Sequence, residues 1–253
     1  MKFTVLLAFA GLVLGRTFTV YNACPYTIWP AIFTDLNVGT SVPAIETGWE
    51  APANSKRMFT VPDSWKAGLI WGRTGCDFSS KTGPAACLTG GCIGGLECDS
   101  TTGTGVGPVS IAEWTLSASD GHDWYDVSLV DGFNVPMRIS NNAGCQVTEC
   151  AVDLNQGCPD VLQGPLNANG TTAGCKSACM ANLDGNPANS RNCCTGNYNA
   201  PMNCPPSGVQ YYSYFKGRCP TSFAYIYDES SGGPVSQGCI ASKKADYTLT
   251  FCP

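Results

Sequence analysis

The sequence predicts a mainly β protein with disulfide-stapled loops, and three observations carry that expectation. Strand-like alternation frames both ends of the chain. The 29 glycines and 17 prolines in 253 residues signal frequent turns and little helix, and 16 cysteines supply cross-links. Thr17 to Asn22 alternates and is rich in β-formers, Tyr26 to Phe33 is a continuous aromatic and β-branched run, and Asp246 to Phe251 alternates again. Cys24 and Cys252 flank the outermost of these segments, so one bridge is expected to tie the chain ends together. Residues 76–107 are thick with Gly, Thr and Cys and hold no long periodic stretch, which reads as a small loop region. Two short helices are predicted in the cysteine-rich half. Gly174 to Leu183 would place Cys175 and Cys179 four apart on one face. Ser207 would cap a second helix carrying Tyr211, Tyr214 and Phe215, with Gly217 ending it.

Composition removes several function classes. Only 13% of residues are charged, about half the usual quarter, while 6 Trp, 10 Tyr and 10 Phe offer abundant surface to bury, so disorder is excluded. A net charge of −5 leaves no basic face for nucleic acid and favours neutral partners such as polysaccharides. The single histidine, His122, sits in a turn-like Ser119-Asp120-Gly121-His122, so a multi-histidine metal site is impossible and a Ser/His or Cys/His nucleophile has one candidate base. No cofactor is implied. Carboxylates remain as the natural acid–base groups.

Met1-Lys2 followed by the apolar run Phe3 to Leu14 reads as a secretory signal. It falls short of the ~20 apolar residues a membrane span needs, as does every later stretch. The small side chains Val13 and Gly15 place cleavage before Arg16, making residues 1–15 the signal segment. Losing Lys2 leaves 13 basic against 19 acidic residues, a net charge of −6. The cysteines all follow that point, and their even number in a secreted chain means eight disulfides. Zinc is disfavoured because there is no C-x-x-C pair. Spacing alone leaves the pairing open. The sole glycosylation sequon is Asn169-Gly170-Thr171, within the loop-rich region.

The segment from Ile111 to Gly132 is the most informative. It reads as two strands joined by a tight turn, with Asp120-Gly121 as the hairpin signal. If those two residues are the loop, Thr115 faces Asp126 and Glu113 faces Ser128. Glu113 and Asp126 then share one face as diagonal neighbours roughly 7–8 Å apart. A four-residue loop keeps the shared face, and a three-residue loop destroys it. Asp131, five residues beyond Asp126, would point to the opposite face of a straight strand unless the turn allowed by Gly132 brings it back. Glycosidases flank the scissile bond with two carboxylates, roughly 5–5.5 Å apart when retaining and ~6.5–9.5 Å when inverting. A solvated acidic strand face would show the same spacing.

Several segments together resemble the thaumatin-like proteins, the group of the osmotin and PR-5 defence proteins and of fungal glucan-degrading members. They are Asn22-Ala23-Cys24-Pro25-Tyr26-Thr27-Ile28-Trp29, Ile70-Trp71-Gly72-Arg73-Thr74-Gly75-Cys76, the run Tyr125 to Met137, Cys193-Cys194 and the final Phe251-Cys252-Pro253. The resemblance covers essentially the whole chain after the signal. It implies a flattened antiparallel β-sandwich (16–75, 113–150 and 219–253), a small disulfide loop domain (76–112), and a disulfide-rich loop domain with short helices (151–218). It also implies the bridges Cys24–Cys252, Cys76–Cys87, Cys92–Cys98, Cys145–Cys239, Cys150–Cys219, Cys158–Cys175, Cys179–Cys193 and Cys194–Cys204.

By the same resemblance, an acidic interdomain cleft binds, and in some members slowly hydrolyses, β-1,3-glucan. Glu113, Asp126 and Asp131 match its acidic positions, and the last falls at Glu229, with Asp228 beside it. One departure is Leu69, which stands where the cleft arginine is usual, and a missing cation raises carboxylate pKa values. The leading expectation is a secreted, monomeric β-1,3-glucan endohydrolase. In it Glu113 donates the proton, Asp126 or Asp131 is the base, Asp228 and Glu229 contact substrate, and Trp124 or Tyr125 stacks on sugar. The alternatives are a non-catalytic glucan-binding lectin and an antifungal or defence-type protein. Neither nucleic acid nor a membrane span is expected.

Overall fold

The computed structural model describes residues 15–101, 103, 105–232 and 235–253. Residues 1–14, all but the last of the expected signal segment, lie outside them. Among the described residues, ten strands form two five-stranded sheets: β1 (Gly15–Asn22), β2 (Trp29–Thr34), β3 (Lys56–Pro62), β4 (Gly68–Arg73), β5 (Ile111–Thr115), β6 (His122–Ser128), β7 (Met137–Asn141), β8 (Thr148–Cys150), β9 (Gln237–Ile240) and β10 (Tyr247–Phe251). The first sheet has the order β3-β1-β10-β7-β8 and the second β2-β4-β5-β6-β9. Within both sheets every ladder is antiparallel except β1 with β10, the pairing that joins the two chain ends side by side.

Period-2 alternation explains which faces meet. From the first sheet, Phe18, Val20, Ile139, Tyr247 and Leu249 are buried. From the second come Ile70, Ala112, Trp114, Tyr125 and Val127, all in one core. Its centre is aromatic, with Phe18 edge-on to Trp65 at 5.5 Å and to Trp114 at 5.1 Å, while the two indoles stack at 6.2 Å. Arg16 also points inward. It is tolerated because its guanidinium donates to both Asp123 oxygens, at 2.7 and 3.2 Å, to Asp63 at 2.5 Å, and to the carbonyls of Ala245 and Ala241. Tyr247 adds a 3.0 Å hydrogen bond to Asp123, so the buried carboxylate is fully committed.

All eight disulfides have the pairing the resemblance implies, beginning with Cys24–Cys252 across 228 residues. Between β4 and β5 the chain makes the Gly-rich excursion, held by Arg73. This buried arginine donates to the carbonyls of Trp29, Pro30, Gly95 and Leu96, and burial pushes its guanidinium down to about 10.

The two predicted helices need correction. Residues 174–177 are extended or irregular and 178–183 form turns, because Cys175 is drawn into extended bridges with Phe133 and Gln163 and cross-linked to Cys158, while Cys179 is tied to Cys193. The second helix, α1, runs Tyr212–Arg218. It starts later than Ser207, after a 3-10 turn at Pro206–Gly208 and a left-handed Tyr211, and it continues through Gly217. Here the prolines at 205 and 206 favour the tight turn over an earlier α-helical start.

Candidate active site

The outer face of the second sheet carries the acidic groups. β5 and β6 pair with Glu113 directly opposite Asp126 and Thr115 opposite Trp124. This register lies two residues from the expected one, because the connection spans Ala118 to Gly121 and not Asp120-Gly121 alone. Ser117 takes a left-handed conformation, and Ala118 and Gly121 close the turn with backbone bonds to His122 and Ala118. A two-residue slip preserves face parity, so both carboxylates still share one surface and are now immediate cross-strand neighbours. On the far side of Glu113, β4 places Leu69 directly opposite it. Glu113 therefore stands between an aliphatic side chain and a carboxylate.

Two further acids approach from outside the strands. After β6 the chain turns through a Gly132 N–H to Leu129 carbonyl bond, with Gly132 at φ 87°. A Cβ there would sit 2.6 Å from the Cys175 carbonyl oxygen, so the turn requires glycine. That turn returns Asp131 to the side of Glu113, whose titration its charge affects. Meanwhile residues 222–231 dock beside the end of β6. Phe223 bonds to Val127 and Leu129, and Ser128 bridges Phe223 in parallel. This brings Glu229 within electrostatic reach of Asp126.

Asp228 behaves differently from its neighbour. It is fully buried and accepts from Tyr212 Oη at 2.8 Å, Lys216 Nζ at 2.9 Å and the Ala224 N–H at 2.8 Å. These bonds tie α1 to the 224–228 turn and present Glu229 at the surface. The Asp228 carboxylate thus points into the protein, although it was expected to contact substrate, because its partners hold it there. Tyr125 also points inward, 1% exposed, with its hydroxyl on the Gln146 carbonyl at 2.5 Å. Trp124, on the opposite parity, is 36% exposed on the acidic face, its indole N–H held by Asp120 at 3.0 Å. The sequence places Ser128 on this same face but assigns it no role. Its hydroxyl bonds Glu113, and its oxygen accepts from the Val130 N–H. The available signal was its parity with Asp126, two residues away.

Crowding like charges in a poorly hydrated site favours the protonated forms. Burial, followed by the Asp131 charge, pushes Glu113 up to about 6, against the opposing hydrogen bond from Ser128. Asp126 is raised well above its ordinary value by burial, then by Glu113 and Glu229. Asp131 is raised by burial. Across the Glu113–Asp126 pair one proton is therefore retained at mildly acidic pH, and the protons titrate as a property of the pair. Such an arrangement can deliver a proton to a leaving oxygen while a neighbouring carboxylate accepts one from water.

A profile of the Thaumatin family matches residues 22–253. The chain belongs to the thaumatin family. Among its relatives, Thaumatin-like protein 1 of Arabidopsis thaliana is 39% identical, covering 94% of this chain and 86% of its own. Pathogenesis-related protein 5 of the same plant is 38% identical over 95% of this chain and 92% of its own. A Prunus avium thaumatin relative named Glucan endo-1,3-beta-glucosidase is 33% identical over 98% and 94% of the two chains. Among the described residues of this thaumatin-family chain, no helix is long and apolar enough to cross a membrane. Eight disulfides suit an oxidising compartment.

Proposed function

We propose that this protein is secreted after loss of residues 1–15, binds β-1,3-glucan across the outer face of β5 and β6, and cleaves it internally by general acid–base catalysis. The observation that carries this reading is the pairing of Glu113 with Asp126, flanked by Asp131, with the first two acids pushed upward. Glu113 donates the proton to the leaving glycosidic oxygen, and burial together with the Asp131 charge keeps it protonated. Asp131, whose side chain reaches solvent although the protein packed around it raises its pKa, takes the proton of the attacking water. Glu229 accepts hydrogen bonds from sugar hydroxyls, and Trp124, one β-repeat along the strand from Asp126, offers a face for a neighbouring sugar ring. The relative named for glucan cleavage supports this choice of substrate. In the same reading the protein acts as a monomer and carries a glycan on Asn169, which is exposed in a turn.

A second reading draws on the relative named as pathogenesis-related: a defence-type protein that binds wall glucan through the same carboxylates without turnover. Reducing-end release from a linear β-1,3-glucan, measured from pH 4 to 7 with wild type and Glu113→Gln, separates the two. Turnover that vanishes in the variant supports the hydrolase. No release from either protein, with glucan pull-down intact, overturns hydrolysis and leaves the binding protein.

A further inference from the structure

The row of side chains that runs through Glu113 changes character at that residue. Across the second sheet, Phe33 pairs with Leu69, Leu69 with Glu113 and Glu113 with Asp126, so the four form one transverse row from β2 to β6. Asp126, with Glu229 in electrostatic reach, stands on the β6 side. On the other side the next two side chains are a leucine and a phenylalanine, both half-buried. At ~4.8 Å between neighbouring strands, they lie about 5 and 10 Å from Glu113 along the row.

Leu69 and Phe33 have a firm backing. Both pack against a buried cluster on the same outer face, in which Ala31, Trp71, Val109 and Ile111 meet the Cys92–Cys98 bridge of the Gly-rich excursion. Phe33 also lines an apolar pocket with Leu36, Val42, Pro43 and Ile45, so apolar surface continues past β2, the edge strand of the sheet.

The proposed roles give the substrate a direction. Sugar hydroxyls donate to carboxylates, so the glycone lies over Asp126 and Glu229 and the leaving oxygen lies at Glu113. Whatever that oxygen carries then extends over Leu69 and Phe33. Neither side chain can hydrogen-bond a hydroxyl, and both gain by covering an apolar surface. We propose that Leu69 and Phe33 form a leaving-group subsite that selects β-glucosides with an apolar aglycone. When such a glycoside is cleaved, water adds to the anomeric carbon and the C–O bond to the alcohol breaks. Glu113 gives its proton to the alcohol oxygen, and Asp131 takes one from the water. The direction rests on Glu113 as the acid, and the selectivity belongs to the flank beyond it.

The test compares the methyl and benzyl β-glycosides of the β-1,3-linked glucose trimer. Both are neutral and their alcohols are nearly equal leaving groups, so they differ in the apolar ring alone. Binding is measured calorimetrically on the full, oxidised Glu113→Gln protein, to prevent turnover. Covering one ring face should make the benzyl glycoside bind about tenfold more tightly. Leu69→Asn, close in shape to the native side chain, and Phe33→Ser, each in that background, should erase most of the preference. Equal affinities in the parent, or a preference that survives both substitutions, overturn the subsite. Reducing-end release from linear β-1,3-glucan by the wild type reports separately on hydrolysis. Release together with equal affinities removes the subsite and leaves the hydrolase, whereas a tenfold preference without release supports the subsite and overturns hydrolysis. Binding of neither glycoside removes both.

Discussion

Replacing Glu113 by Gln should inactivate the protein and stabilise it at the same time. In the folded chain the Glu113 carboxyl prefers its proton, so ionising it above pH 6 works against the fold. The rise from 4.5 to about 6, at 1.36 kcal/mol per pH unit, amounts to about 2 kcal/mol. The sign follows from proton binding. Between those two pH values the folded state holds more protons than the unfolded chain, so stability falls as pH rises through the window and the loss is complete near pH 7. Below pH 4 both states are protonated and the penalty is absent. Glutamine mimics the protonated acid in shape and charge and never incurs the cost. At ~2–4 °C per kcal/mol for a chain of this size, Glu113→Gln should melt about 4–8 °C above wild type at pH 7 and within a degree or so of it at pH 4. Relief of Asp126 from its neighbour's charge adds to the same direction. The assay is thermal unfolding followed by intrinsic tryptophan fluorescence on both proteins at both pH values, paired with reducing-end release, where loss of a general acid should cost ~10²–10⁴ in rate. A variant no more stable than wild type at pH 7, or one equally stabilised at pH 4 and pH 7, would refute the electrostatic account of the site.

Other perturbations test neighbouring parts of the argument. Leu69→Arg sets a cation opposite Glu113 in the β4–β5 ladder. It should lower the Glu113 pKa by ~1 unit or more, moving the alkaline limb of the pH–activity profile to lower pH, and an unmoved limb would show that position 69 does not face the acid. Trp124→Ala should raise KM for soluble glucan oligomers about fivefold with little change in kcat, the loss of roughly 1 kcal/mol of ring stacking; an unchanged KM would remove the indole from the binding surface. Arg16→Met leaves Asp123 buried with its guanidinium partner gone and should cost ~3–5 kcal/mol of stability, read as a lowered denaturant midpoint with no shift in the pH profile of activity.

Much of the architecture was legible because it rests on short-range regularities. Alternation at 17–22 and 246–251 marks two strands that the fold places side by side, and the cysteine order matches all eight bridges once the family pattern is recognised. Glu113 and Asp126 share a face by parity alone, and that sharing survived a two-residue error in register. Other features could not be read locally. The stretch 174–183 has helical spacing, yet extended pairing of Cys175 with Phe133 and its bridge to Cys158 outweigh a weak local propensity. Asp228 and Glu229 are adjacent acids. Tyr212, Lys216 and the Ala224 N–H make one of them an internal tie, and the other faces the site.

By itself, the sequence determined the β-rich class, the disulfide-stapled framework and the strand bearing each of the paired carboxylates, because side-chain parity and turn chemistry act over a few residues. Only the tertiary structure decided that Glu113 sits directly opposite Asp126 with Leu69 on its other flank, and that Asp131 swings back beside it. Those outcomes depend on segments far apart in the chain meeting in one place, and on the loss of water there, which sets the charge each carboxylate can hold.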